Sequence, residues 1–260
     1  MCGFFSNDPL ISLLKSFGYN VVRLPRADIS PLQVLTEKDK EFHMLGELET
    51  IFKAGPNIDA PETKRDIAAA KVSGQNCGDL KFGIGLNFLG GILSAMGGSS
   101  LGLDAAYSQV KTVSFQYEDV LEDRIDLASL DQYLTDADIS PFSTWVKDLL
   151  EADDVYVINS IIKSKKFSVL PKMSKGATFR PDIPNIQNIV GGKIQVSSSA
   201  RNASAVTFEG ADPLVFGFKA ARLFYHSGRY TSQEPARSDV PLKGRRKGIV
   251  SDNAFISIAP

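Results

Sequence analysis

The sequence is poor in the groups that most catalytic chemistry uses. Its 260 residues hold two histidines, His43 and His226, and neither stands in a nucleophile–base arrangement. There is no G-x-S-x-G elbow, no H-E-x-x-H and no Walker loop, so an enzyme is not expected. Cysteine is as scarce: Cys2 and Cys77 lie far apart, without the spacing of a metal site or a disulfide framework. Net charge is lacking too. At a formal −1 the molecule exerts no overall field, so attraction to nucleic acid or anionic lipid alike must come from local patches; no nucleic-acid partner is expected.

Long apolar runs are also missing. A spanning helix needs roughly 18 apolar residues in a row, and the best candidate, Leu86 to Met96, is broken by Asn87, glycines and Ser94. That excludes a constitutive helical membrane protein. The N-terminus does not read as a secretory signal, because Asp8 sits where positive charge is expected and Lys15 interrupts Leu10 to Phe17. A cytoplasmic start is therefore expected. What is present suits a chain that folds in water as one large domain: 43% hydrophobic and 23% charged residues.

Asp8-Pro9 ahead of Leu10, Ile11, Leu13, Leu14 and Phe17, with Gly18 behind, predicts a short helix. Tyr19 to Leu24 predicts a strand that Pro25 ends, and Glu41 to Phe52 carries Leu45, Leu48 and Ile51 at helical spacing. From Leu80, the residues Leu80, Phe82, Ile84, Leu86 and Phe88 alternate with Lys81, Gly83, Gly85 and Asn87, predicting an amphipathic strand. A small, uncharged stretch leads to a second strand, in which Val113, Phe115 and Tyr117 alternate with polar residues. Leu121 to Ala152 predicts acidic helices over a sheet face. Alternation returns in Val155 to Val169, with Val157 and Ile161, and in Lys193 to Phe208, where Ile194, Val196, Val206 and Phe208 share a face. Pro213 to Tyr225 reads as a strand leading into a helix.

Several features have two readings. Gly83-Ile84-Gly85 with Gly90-Gly91 would cradle phosphate only at a strand-to-helix turn, and here it falls inside the predicted strand. Glu118, Asp119, Glu122, Asp123 and Asp126 read as a solvated helix start, with a carboxylate acid/base enzyme as the alternative. The paired amphipathic segments suit half-buried sheet edges or a transmembrane β-barrel, which needs alternating strands of about ten residues. The apolar turn from Leu89 to Leu103 favours the barrel. A water-soluble chain reaches it only by refolding with many copies, since backbone groups in lipid must all be paired. Lys163, Lys165, Lys166, Lys172 and Lys175 offer anionic headgroups about 1 kcal/mol per charge near the surface, or simply form a solvated rim.

Met1-Cys2-Gly3, YNVVRLPRADISPLQVL at Tyr19 to Leu35, and PLVFGFKAARLFY at Pro213 to Tyr225 resemble the bacterial gasdermins, and the resemblance covers essentially the whole chain. It implies an α+β fold with a twisted, mostly antiparallel central sheet and surrounding helices. It further implies a pore-forming domain at 1–238, an exposed protease-sensitive linker at 239–248 and an autoinhibitory peptide at 249–260, with membrane hairpins near Leu80 to Tyr117 and Val155 to Phe208. The expected behaviour is a cytoplasmic monomer, armed by a protease encoded nearby, that becomes a homo-oligomeric pore in the inner membrane and kills the cell during phage infection. A palmitoyl group is implied on Cys2, which the residues alone would leave as an unmodified thiol; no other cofactor or metal is implied.

Within the tail, Arg245-Arg246-Lys247 suits a protease that prefers basic residues, and Leu242 one that does not. Ile249, Phe255, Ile256 and Ile258 are the expected latch contacts. Burying the last three contributes at most about 5–9 kcal/mol before ordering costs. The tether that a cut removes is worth about 4 kcal/mol at micromolar peptide. A soluble lipid- or partner-binding module is the alternative function.

Overall fold

The computed structural model describes residues 9–38, 41–55, 58–75, 79–140, 144–173, 175, 179–199, 202–235 and 255–256. The chain opens with α1 (Pro9–Ser16), β1 (Asn20–Arg26), β2 (Gln33–Lys38), β3 (Glu41–Glu47), the single turn α2 (Leu48–Ile51), β4 (Phe52–Lys53) and β5 (Lys64–Ala68). The middle runs β6 (Leu80–Lys81), α3 (Phe82–Ala95), α4 (Leu103–Ala106), β7 (Val110–Glu118), β8 (Leu121–Arg124), α5 (Leu127–Asp136), β9 (Asp138–Ile139) and α6 (Thr144–Glu151). Two long strands follow, β10 (Val155–Met173) and, after α7 (Ile183–Val190) and β11 (Ile194–Ser199), β12 (Asn202–His226). β13 (Arg229–Pro235) and β14 (Phe255–Ile256) complete the order. β4 and β9 pair by themselves, and the other twelve strands form one sheet.

The antiparallel β10–β12 ladder is the axis of that sheet. Around one half of it the strands close on themselves: β12 pairs β1, β1 pairs β14, β14 pairs β3, β3 pairs β2, β2 pairs β10, and β10 returns to β12. Val22, Leu35, Phe42, Tyr156, Ile158, Val215 and Phe218, drawn from five of these strands, form one buried cluster. Within it the Phe42 ring meets Tyr156 and Phe218 edge-on at 5.5 and 5.6 Å. The other half of the ladder is an open wing in the order β6–β7–β10–β12–β11. A second cluster lies between that wing and α1, α3, α4 and α7, and a third beneath α2, α5 and α6.

This is the twisted α+β architecture expected, and the first helix, the β7 strand and the Lys193–Phe208 alternation lie where the pattern put them. Other elements differ. β1 continues through Pro25 because its register with β12 shifts between Val21 and Arg26, an irregularity that tolerates proline. Glu41 to Glu47 is a strand, since pairing with β2 overrides a short helical spacing. Leu121 to Arg124 pairs with β10 and β5 before the first acidic helix begins. Pro213 to Tyr225 stays extended throughout. Leu223 packs beneath the helices while Phe218 and Ala220 face the ring interior, so both faces are apolar and alternation is lost.

β14 is parallel to both neighbours, with Phe255 opposite Val21 and Glu41, and Ile256 opposite Phe42. A proline there removes a donor that the ladder needs, at about 1–3 kcal/mol for a partner left unsatisfied. Ile256→Pro should therefore lower the Tm of the intact protein, read by scanning calorimetry, while Ile256→Val leaves it within about 2 °C.

Candidate functional site

The largest departure from the sequence pattern is α3. The strand predicted over Leu80 to Phe88 survives only as β6, and Phe82 to Ala95 is helical. The segment satisfies two periods at once: even positions from 80 to 88 are apolar, and Gly85, Leu89, Ile92, Leu93 and Met96 also line up along a helix. Packing selects the helix. Leu89, Ile92 and Leu93 are fully buried with Leu14, Tyr19 and Val21, and Phe88 meets the Phe115 ring at 5.0 Å. Propensity does not help: the helix has no side-chain N-cap and no acidic residue in its first turn. Gly83, Gly85, Gly90 and Gly91 together cost it roughly 3–4 kcal/mol relative to alanine. The glycines do follow a strand and open a helix, but β6 and β7 are antiparallel, and a dinucleotide fingerprint needs a parallel βαβ crossover.

The end of α3 rests on the second amphipathic segment. A side chain at Gly98 would strike Ile194 Cδ1 at 2.4 Å, and one at Gly210 would strike Met96 Cε at 2.4 Å. Ser99 N donates to the Val190 carbonyl at 3.3 Å. At its other end α3 lies hard against β7, where a Cβ on Gly85 would stand 1.8 Å from Val113 Cγ2. In α4's C-cap residue, Tyr107, the buried hydroxyl has no hydrogen-bond partner, and burial pushes its ionisation well up. Such an unmet group costs about 1–3 kcal/mol.

The base of the wing is held by charge. Lys163 Nζ lies 2.6 Å from Asp123 and 2.9 Å from Asp66; Lys166 lies 2.9 Å from Glu118 and 3.9 Å from Asp119; Lys172 lies 2.5 Å from Asp79. Of the five lysines considered for headgroups, three thus face carboxylates of the protein, and Lys165 and Lys175 are exposed. The acidic run is correspondingly not one solvated helix start. Asp126 caps α5 through Ala128 N at 2.9 Å. Asp123, however, is 3% exposed and ion-paired, and Glu122 accepts from Tyr19 at 3.0 Å and Ser160 at 2.7 Å. Burial opposes ionisation of Glu118, but hydrogen bonds from Ser168 and Lys166 outweigh it and hold the carboxyl below its ordinary 4.5. Burial likewise works against the Lys163 ammonium, and its two carboxylates outweigh it and raise the group.

Val113, Phe115 and Tyr117 of β7, Val157 and Ile161 of β10, Ile194 of β11, and Val206 and Phe208 of β12 are buried, and Val196 is half-buried. Leu80, Leu86 and Phe88 pack on the cluster between the wing and its helices, while Val157 and Ile161 belong to the other two clusters and Ile84 is exposed. Cys2, Leu242, Arg245, Arg246, Lys247, Ile249 and Ile258 lie outside the described residues, as does the 239–248 linker; β14 carries Phe255 and Ile256. Sequence reasoning missed the ion pairs, whose partners are separated along the chain, and the helical state of α3, whose second period was legible from Leu89, Ile92 and Leu93. A cavity of about 590 Å³ beside Arg222 and His226 contains Glu151, Asp153 and Thr231. Among the described residues no helix is long and apolar enough to cross a membrane.

A curled, mostly antiparallel sheet with helices on its faces defines an α+β protein, and one helix on that sheet, α3, has a sequence that also fits a strand. Solved structures include a likeness: a bacterial gasdermin from Bradyrhizobium tropiciagri, TM-score 0.57, 15% identical, over 86% of this chain and 90% of that one. A sequence profile described as the Bacterial Gasdermin Family matches residues 22–229. Gasdermin bGSDM of a Desulfuromonadales bacterium is 51% identical over 89% of this chain and 87% of the relative. That of Lysobacter enzymogenes is 42% identical over 86% and 83%. The chain belongs to the bacterial gasdermin family. It is a pore-forming protein and not an enzyme.

Two outcomes test the site. Overpacking costs about 1–3 kcal/mol, so Gly85→Val should lower the Tm by roughly 2–12 °C. Gly83→Val, with nothing within 4 Å of the new Cβ, should not lower it. Because the Glu118 carboxyl is depressed, its stabilisation is complete above pH 4.5 and lost as pH falls through the lower folded value. Glu118→Gln should flatten that acid limb of Tm against pH.

Proposed function

We propose that this chain is a latent pore-former whose residues 249–260 block assembly until a protease cuts within 239–248, at Arg245–Lys247 or at Leu242. The observation that carries the reading is β14, which fills the gap between β1 and β3. When the tail leaves, β1 keeps β12 on one edge and loses its partner on the other. β1 also supplies Val21 to the cluster that holds α3, so a loosened β1 weakens the packing that keeps α3 helical. The helix has little propensity of its own to resist.

The released 1–238 part then binds membrane lipid through its exposed lysines. It assembles with further copies and extends Leu80 to Tyr117 and Val155 to Phe208 as hairpins of a large β-barrel, the arrangement that leaves no backbone group unpaired in lipid. The uncut protein is a cytoplasmic monomer, the pore sits in the inner membrane, the protease is encoded nearby, and the outcome is death of the phage-infected cell. A palmitoyl chain on Cys2 adds about 0.8 kcal/mol of membrane affinity per buried CH₂, enough to assist anchoring but not to provide it alone.

Dye-loaded anionic vesicles test this with the full-length protein carrying a site-specific protease sequence in place of residues 243–248. Leakage should appear on cutting and be absent before it. Cut, folded protein that leaves the vesicles intact sinks the pore reading and favours a soluble binding module. Separately, intact mass of protein from bacterial cytosol should carry one palmitate that Cys2→Ala abolishes; an unmodified mass removes the acyl claim alone.

A further inference from the structure

We propose, on the basis of the pore-forming reading above, that the first hairpin forms in the register the β6–β7 bridge already has, making Leu86, Phe88, Ile92, Leu101, Leu103 and Tyr107 the surface that meets lipid acyl chains. In the folded protein Leu80 stands opposite Val113, and Lys81 opposite Thr112. An antiparallel ladder continued from those pairs advances one residue on each strand. It sets Leu86 against Tyr107, Phe88 against Ala105, Gly90 against Leu103 and Ile92 against Leu101, all on the face of Leu80 and Val113. The other face receives Gly85 with Ser108, Asn87 with Ala106, Leu89 with Asp104, Gly91 with Gly102, and Leu93 with Ser100. Across these pairs one face is apolar apart from the Tyr107 hydroxyl, and the other carries Asn87, Asp104, Ser100, Ser108 and the Gly91–Gly102 pair.

A slip of one residue would destroy this separation by placing Asp104 opposite Phe88. The inherited register also puts the tip at Ala95 to Gly98, with Met96 and Gly97 at its centre, and Gly97 already has φ +79°, the positive φ that a type II or type I′ turn needs at its second central position. Ile84 to Ser94 then has the length of a tilted spanning strand, about 9–11 residues. Gln109 and Lys111 mark the base of the lipid face and Ser94 and Ser99 its upper edge. Tyr107, whose hydroxyl lacks a partner in the folded protein, moves toward the base, where an aromatic girdle meets water and headgroups.

The apolar face runs on into the existing sheet, because Tyr117 is opposite Phe167 and Phe115 opposite Val169. Exposure in the folded protein points the same way. Among the described residues three large apolar side chains are exposed, and two of them, Ile84 (48%) and Leu101 (82%), fall on this face.

The test uses the full-length protease-cleavable protein with Cys77→Ser and Cys2 left in place, and the signal of that parent, treated identically but without an added cysteine, is subtracted. A polarity-sensitive dye is placed on single added cysteines at Ile84, Leu101, Ala105, Asn87, Asp104 and Ser108, all exposed before cutting. After cutting on vesicles of anionic and neutral phospholipid, dyes at 84, 101 and 105 should brighten and be quenched by a chain-borne quencher. Those at 87, 104 and 108 should remain quenched by iodide. Oxidation should cross-link Asn87→Cys to Ala106→Cys in the cut, membrane-bound form, and not Asn87→Cys to Asp104→Cys. Leakage with no alternation, or with the 87–104 cross-link preferred, overturns the register while leaving pore formation standing. Loss of leakage in the unlabelled cleavable protein overturns both.

Discussion

Between β1 and β3 lies a gap one strand wide, and backbone hydrogen bonding has to be supplied there before the ring of strands can close. In the folded protein β14 supplies it, with Val21 on one side and Glu41 and Phe42 on the other. The ring interior, built around Phe42, Tyr156 and Phe218, and the cluster that immobilises α3 share β1 as a common wall, since Val22 belongs to the first and Val21 to the second. The same demand governs the membrane state. A strand entering lipid must find partners on both edges, which water would otherwise have supplied. On the proposed reading the molecule answers one requirement in two ways, with a peptide in water and with neighbouring strands in the bilayer.

α3 makes that exchange physically accessible. Its helicity is imposed from outside by Val113, Phe115 and the end of α7, and not by caps, charges or propensity. Four glycines in its length weaken the helix, and one of them, Gly85, lets it lie close to β7. Because its tip is locked against Gly210, Ile194 and Val190, the first amphipathic segment cannot move without disturbing the second. In the proposed transition, contact couples the release of the two.

Much of this fold was legible in the residues, for identifiable reasons. β7 and β11 carry one apolar face each, so alternation revealed them. β12 and the middle of β10 are buried on both faces, which erases alternation and made Pro213 to Tyr225 resemble the start of a helix. The segment after Leu80 was misread for the opposite reason: its period-two pattern is present but unused in water, where tertiary packing favours the helical period. Ion pairs such as Lys163 with Asp123 and Asp66 join separate strands and leave no local trace. They became visible only once β8 and β5 were found beside β10.

β14 runs parallel to its two neighbours, and also to β13, because β1 and β13 are both antiparallel to β12. Parallel strands cannot be joined by a tight turn; they need a crossover of about a dozen residues or more. The 19 residues between Pro235 and Phe255 exceed that minimum length. On the proposed reading, a protease that cuts within 239–248 recognises residues separate from the strand that completes the sheet. Trigger and lock are, on that reading, separate stretches of sequence, and a lineage could exchange one protease for another by rewriting the connection alone.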